Sequence, residues 1–167
     1  MNRYVLLLII FVANLTFSFA QTPEEKIQDM GITLPEISQP LANYVKWRQV
    51  GNMLYLSGSV SSAEGKLGVD LAADEGYKAA RETGVQILAT LKVACGDLSR
   101  IKQFVKVNGM VNSAPSFYDQ SKVMNGFSDL MAEVFGEAGK HARVAVGQSS
   151  LPFNRAVEID VIVELRE

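Results

Sequence analysis

Ala156-Val157-Glu158-Ile159-Asp160-Val161-Ile162-Val163-Glu164-Leu165 decides how this chain folds. Val157, Ile159, Val161, Val163 and Leu165 recur with a period of two, and Glu158, Asp160, Ile162 and Glu164 take the alternate positions. Successive side chains of a strand point to opposite faces, so this is a strand with one unbroken apolar face. Just upstream, Arg143–Gln148 alternates as well, with Val144 and Val146 opposing Arg143, Ala145 and Gly147. Read with the same period, Arg143 and Glu158 both point away from the helix-packed core.

Further back the period changes. Val123, Phe127, Leu130, Met131 and Val134 form a helical stripe that starts near Ser116, after Pro115, and stops at Gly136. Ile101–Val111 reads as a strand, with Val105 and Val107 on one face and Lys106 and Asn108 on the other. Tyr77, Ala80, Gly84, Ile87, Leu88, Leu91 and Ala94 mark a second amphipathic helix, with Asp70 as N-cap and Gly96 just past its end. Cys95 closes that helix as a buried structural thiol. Ser59–Val69 reads as a loop. Two β-type runs, Tyr44–Val50 and Met53–Ser57, flank Gly51-Asn52, a hairpin signal. The order β-β-α-β-α-β-β predicts an α+β domain with two helices on one face of a single sheet. The other face, bearing Tyr55, Phe104, Ile162 or their neighbours, needs cover from a second copy.

The 167 residues suffice for one domain, and 16 Lys+Arg against 18 Asp+Glu leave no cationic footprint for nucleic acid. A single cysteine excludes an internal disulfide, and a single histidine leaves no His/Cys cluster for zinc, so no metal or cofactor is expected. At the start, Arg3 precedes the uncharged run Val5–Val12, and Ser18-Phe19-Ala20 places small residues for cleavage after Ala20. This is the pattern of a secretory signal peptide, and Asn14, Thr16 and Ser18 make it too broken for the ~20 apolar residues of a membrane span. The expected organisation is a signal peptide over 1–20, a polar segment over 21–40 with one or two helical turns at Glu24–Met30, and a domain over 41–167. The exported form, periplasmic or secreted and free of the membrane, loses Arg3 and carries 15 basic against 18 acidic residues, or −3.

Two side chains stand out chemically. An Arg fork binds a carboxylate through paired hydrogen bonds, and a nearby Glu can hold or activate water, which suits Arg143 and Glu158. The same pair also fits a plain cross-strand ion pair. His141, alone beside Gly139-Lys140, reads as a loop or strand-edge residue rather than a general base.

Ala142-Arg143-Val144-Ala145-Val146-Gly147, Leu151-Pro152 and Val157-Glu158-Ile159 resemble the C-terminal signature of the Rid family of reactive-intermediate deaminases, also called YjgF-like or L-PSP endoribonuclease-like. Tyr44-Val45 with Gly51-Asn52-Met53-Leu54-Tyr55-Leu56-Ser57-Gly58 is similar to its N-terminal signature, and Phe104-Val105-Lys106-Val107 to its third strand. Gly68-Val69-Asp70-Leu71, Val111-Asn112-Ser113-Ala114-Pro115 and Asn125-Gly126 resemble its less-characterised, chorismate mutase-like branch. The resemblance implies a chorismate mutase-like fold, a homotrimer built around a barrel, and a site in each inter-subunit cleft. It also implies roles: Arg143 grips the carboxylate of a 2-imino acid, Glu158 positions the attacking water, and Tyr44, Ser57 and Asn125 line the pocket. The products would be a 2-oxo acid and ammonia. The chain departs from the deaminase branch at Ala145, where that branch carries cysteine, and at Ser59, where it carries glutamine. A non-catalytic trimeric binding module for small carboxylates is the alternative. Endoribonuclease activity fits the composition least.

Overall fold

A computed structural model describes residues 21–40 and 42–167. The expected signal peptide, residues 1–20, lies outside the described residues. Along the chain run α1 (Pro23–Asp29), β1 (Trp47–Val50), β2 (Met53–Leu56), β3 (Ser59–Val60), α2 (Ala73–Cys95), β4 (Ile101–Asn112), α3 (Gln120–Phe135), β5 (Ala142–Gln148) and β6 (Val157–Leu165). The strands form one sheet in the order β1-β2-β6-β4-β5, and β3 also pairs with β6. Strands β4 and β5 are parallel because α3 carries the chain back between them, whereas the other pairings are antiparallel.

The quoted strand, β6, sits at the centre and alternates as expected: Val157, Ile159, Val161, Val163 and Leu165 are buried and the residues between them half-buried. Against this apolar face lie α2 and α3, which supply Ile87, Leu88, Leu91, Phe127, Leu130 and Met131 to the core. The two helices approach closely because Gly126 faces the Tyr77 carbonyl, which a Cβ would strike. Both end where glycine allows a left-handed turn, at Gly96 (φ 77°) and Gly136 (φ 61°).

Three expectations shift. Strand β4 carries irregularities between Ile101 and Gln103 and between Phe104 and Lys106. Each slips the phase of the pleat by one residue, so Phe104 turns into the core and Val105 to the open face. Placing Phe104 on the open face, and Val105 with Val107, is therefore corrected. The Phe104 ring packs on Phe135 and Phe127, with centroids 5.1 and 6.5 Å away. Second, part of the expected Ser59–Val69 loop is strand, since Ser59 and Val60 pair with Ile159 and Glu158. Third, both long helices start later than expected. Asp70 closes a turn by accepting the Lys66 N–H (2.8 Å), and Glu75 accepts the Ala72 N–H (2.8 Å) at the true start of α2. Before α3, the Phe117 N–H bonds the Ala114 carbonyl in a turn that delays the helix to Gln120.

The first described residues are part of the packing. Thr22 and Glu25 form a reciprocal capping box for α1, with Pro23 in its first turn. Ile27 is buried in the core, and Glu24 ties α1 to α2 and the turn after it through Lys92 (2.6 Å) and the Leu98 N–H (2.7 Å). Cys95 is buried, with Sγ donating to the Leu91 carbonyl (2.8 Å), and burial pushes its thiol pKa up. That is the behaviour of a structural thiol. The helix-free face of the sheet exposes Tyr55, Val105, Val144 and Val146.

Candidate functional site

Arg143 and Glu158 do not share a face. Arg143 opens β5 in register with Val107, a fully buried core residue, and so points to the helix side of the sheet. There α3 meets it with Ser121, Asn125 and Ser128, a polar stripe at helical spacing. Arg143 Nη1 donates to Asn125 Oδ1 (3.1 Å) and Ser128 Oγ (2.8 Å), and Nη2 donates to the Ser121 carbonyl (3.4 Å). A guanidinium has five donors, so two are left without a partner among the described residues. Strand β5 is the last in the sheet, which leaves this group on an open edge.

Glu158 pairs in register with Met110 and Val60 and alternates with Val157 and Ile159, which face the helices. Its carboxyl therefore lies on the helix-free face. The expectation that Arg143 and Glu158 face the same way is corrected: the sheet separates them, because β5 presents odd-numbered residues to the helices and β6 does too. Counting residues fifteen apart across an intervening loop does not preserve a facing.

Around Glu158 the chain is cleared. Gly58 backs directly onto the carboxylate, and a Cβ there would collide with Glu158 Oε1. Burial, and then the charge of Asp160, push the Glu158 carboxyl pKa up. Asp160 itself accepts from Asn108 Nδ2 (2.9 Å), but Glu158 has no side-chain hydrogen bond among the described residues. A half-buried carboxylate with raised basicity and free lone pairs is suited to take a proton from water.

Ser57 belongs to the Glu158 side. Ser57 precedes Gly58, and its hydroxyl donates to the Val45 carbonyl (2.7 Å) while its N–H bonds Lys46 (2.9 Å), which holds the Tyr44–Lys46 segment against it. Tyr44 is half-exposed, beside a cavity of about 490 Å³ walled by Ile37, Pro40, Trp47 and Val93. The five expected site residues thus separate: Arg143 lies with Asn125, Glu158 with Ser57, and Tyr44 lies apart, beside a cavity that reaches Val93 of α2. Ala145 packs on the core behind the first group.

Sequence reasoning missed Ser128 and undervalued His141. The His141 ring lies between Phe127 (5.6 Å) and Phe104 (6.4 Å), with Nδ1 at the Gly139 carbonyl (2.7 Å) and Nε2 at Ser128 Oγ (3.0 Å). The signal was present: Ser121, Asn125 and Ser128 recur at spacings of four and three on the helix that precedes His141 and Arg143. Among the described residues, no three of His, Cys, Asp and Glu gather as a metal site would require.

The comparisons with known proteins agree with this architecture. The profile described as YjgF/chorismate mutase-like, putative endoribonuclease, matches residues 24–165. The protein TCP17 of Trypanosoma cruzi is 46% identical over 146 residues, 83% of this chain and 91% of that one. A 2-iminobutanoate/2-iminopropanoate deaminase of Dermatophagoides farinae is 30% identical over 134 residues, 79% of this chain and 93% of that one. Among solved structures, the protein Atu1372 of Agrobacterium tumefaciens, whose function is unknown, superposes with a TM-score of 0.81 at 44% identity, covering 87% of this chain and 94% of that one. The sheet, the two long helices and these matches across nearly the whole described chain place it in the YjgF/chorismate mutase-like family, which includes 2-iminobutanoate deaminases and putative endoribonucleases.

Proposed function

We propose that this protein hydrolyses small 2-imino acids to 2-oxo acids and ammonia, without a cofactor, in clefts between copies of itself. The observation that carries the reading is the Glu158 carboxylate, without a side-chain partner among the described residues, raised in pKa by burial and cleared by Gly58. A guanidinium with two donors unused among the described residues lies on the opposite face of the same sheet. Neither group is complete alone. A rotation that sets the β5 edge of one copy against the helix-free face of the next joins them, and three such contacts close a trimer. The same packing covers Tyr55, Val105, Val144 and Val146.

In the joined site, Arg143 holds the substrate carboxylate through its two remaining donors. Glu158 of the facing copy takes a proton from water as the oxygen attacks the C=N carbon. The proton then passes to the carbinolamine nitrogen; as the C–N bond breaks and ammonia leaves, the hydroxyl oxygen forms the C=O bond and gives its proton to Glu158, which releases it to ammonia or solvent. Ser57 forms the wall on the Glu158 side, Tyr44 lies beyond it on the segment that Ser57 holds through the Val45 carbonyl, and Asn125 fixes Arg143. An iminium carbon is already electrophilic, so orientation and one base supply the acceleration asked for.

The test is to add the protein to an amino-acid oxidase reaction that releases imine and to time 2-oxo acid formation. Acceleration over buffer is expected, and its absence would refute the reading. The cleft is tested by mixing Arg143→Ala with Glu158→Gln subunits. Two defective chains then rebuild about a quarter of the sites if each site takes one group from each copy. No recovery would place both groups in one chain's site. Ribonuclease chemistry is less well supported, because His141 is already engaged by Gly139 and Ser128 and the chain is acidic. Export is part of the proposal, checked by sequencing the mature N-terminus, expected to begin at Gln21.

A further inference from the structure

The aim of Arg143 depends on a neighbour that titrates. The Gly139 carbonyl can only accept, so His141 Nδ1, 2.7 Å away, carries a proton. In the neutral ring Nε2 is then an acceptor and takes the Ser128 hydroxyl proton across 3.0 Å. The Ser128 oxygen, its own proton so directed, turns its lone pairs to Arg143 Nη1 at 2.8 Å. Every hydrogen bond from Gly139 to Arg143 thereby has a set direction. We propose that His141 is a positioning residue for Arg143: as the Nδ1–H tautomer it orients Ser128, and Ser128 with Asn125 orients the guanidinium for a small carboxylate. This rests on the reading of Arg143 as the carboxylate grip and deepens it.

Protonation undoes the arrangement. Nε2–H would then also donate to Ser128 Oγ, and the hydroxyl would have to send its proton back along α3 to a carbonyl one turn earlier. Burial between Phe104 and Phe127 pushes the imidazole pKa down; the Gly139 carbonyl opposes this, and the Arg143 charge adds to it. On the surrounding elements, Lys106 of β4 pairs in register with Ile162 on the helix-free face, and Glu133 and Lys122 of α3 pair with Arg81 (2.6 Å) and Asp74 (2.8 Å). On α3, Asp129 accepts from Tyr77 (2.9 Å), and in the turn before His141, Glu137 pairs with Lys140 (2.6 Å). Strand β4 contributes Phe104, and β5 contributes Arg143 itself.

A positioning role and a merely electrostatic one predict opposite signs. If His141 were only a charge near the ligand, its protonated form would bind an anion better, and binding would raise its pKa. If the neutral ring sets the grip, the protonated form binds worse, and binding lowers its pKa by reciprocal linkage. His141 is the sole histidine in the sequence, so its ring can be followed alone by ¹⁵N-edited NMR. In the free protein the expected state is the Nδ1–H tautomer, and Ser128→Ala, which removes the donor to Nε2, raises the titration midpoint. Saturating 2-oxobutanoate lowers the midpoint in the parent chain. His141→Phe keeps the ring packing and weakens 2-oxobutanoate about 3–10-fold, the size of one hydrogen bond, while flattening the pH dependence of affinity near the midpoint. An Nε2–H tautomer, an unmoved midpoint in Ser128→Ala, or a midpoint that rises or stays on binding would overturn the proposal. Failure of the parent protein to bind 2-oxobutanoate at all would overturn the carboxylate reading instead, and the free-protein measurements still decide the Ser128–His141 link.

Discussion

The two faces of the sheet carry opposite kinds of functional group. On the helix side, Arg143 is held by three acceptors on α3, one of them backed by His141. On the open side, Glu158 has no side-chain partner among the described residues, and burial raises its pKa. A grip must be pre-aimed, because each rotamer frozen in advance is a cost not met on binding. A base must keep its lone pairs free and its basicity high, because it acts by taking a proton. On the proposed reading, the difference assigns the hold to Arg143 and the reaction to Glu158 before any ligand is present.

Substitution can break this contrast. Glu158→Gln should cause the largest loss, about 100–10,000-fold in kcat with KM little changed, since it removes the base and leaves the grip. Steady-state kinetics of imine hydrolysis would show it, and a loss confined to KM would reverse the assignment. Arg143→Ala should lower kcat/KM by about 30–1,000-fold, the worth of a charge-assisted bidentate contact, with a clear rise in KM. Gly58→Ala should displace the Glu158 carboxylate and lower kcat by about 10–100-fold, while circular dichroism stays that of the parent.

The smallest effect concerns stability. A carboxyl whose pKa is raised by folding binds its proton more tightly in the native state than in the unfolded one. Its contribution is therefore favourable at low pH and is lost as pH rises through the raised pKa. Glu158→Gln, which has no charge to bury, should unfold at slightly higher denaturant than the parent at pH 7. The gain is less than about 1 kcal/mol, because half-exposed groups are screened by solvent, and it vanishes near pH 3–4. For His141 the sign is opposite: its lowered pKa makes stability fall as pH drops below about 6.5, where the unfolded chain takes up a proton first.

Much of the fold was legible because it is written in local periods. Strand β6, the Gly51-Asn52 hairpin, the stripes of α2 and α3 and their glycine ends all follow from spacing along a short stretch. Phe104 was misplaced because a bulge adds one residue to the phase, and nothing local in Ile101–Val111 marks where it falls. Asp70 was misread as a helix cap because a capping side chain and a turn-closing one look alike in sequence. Its Lys66 partner is defined only once the turn exists.

Among the site residues the division is similar. The types at Arg143, Glu158, Tyr44, Ser57 and Asn125, and their resemblance to a known family, could be read from the chain alone, as could the acidic balance that disfavours nucleic acid. Their grouping could not. Whether two strands share a facing depends on the pairing register and on which helix covers each face, and those are set by long-range packing. Burial decided the rest: it raised the basicity of Glu158 and set His141 against Ser128, the contact on which its proposed positioning of Arg143 rests. Sequence determined which chemical groups the protein owns; tertiary structure decided which of them meet, because distance and dielectric are properties of the fold and not of the order of residues.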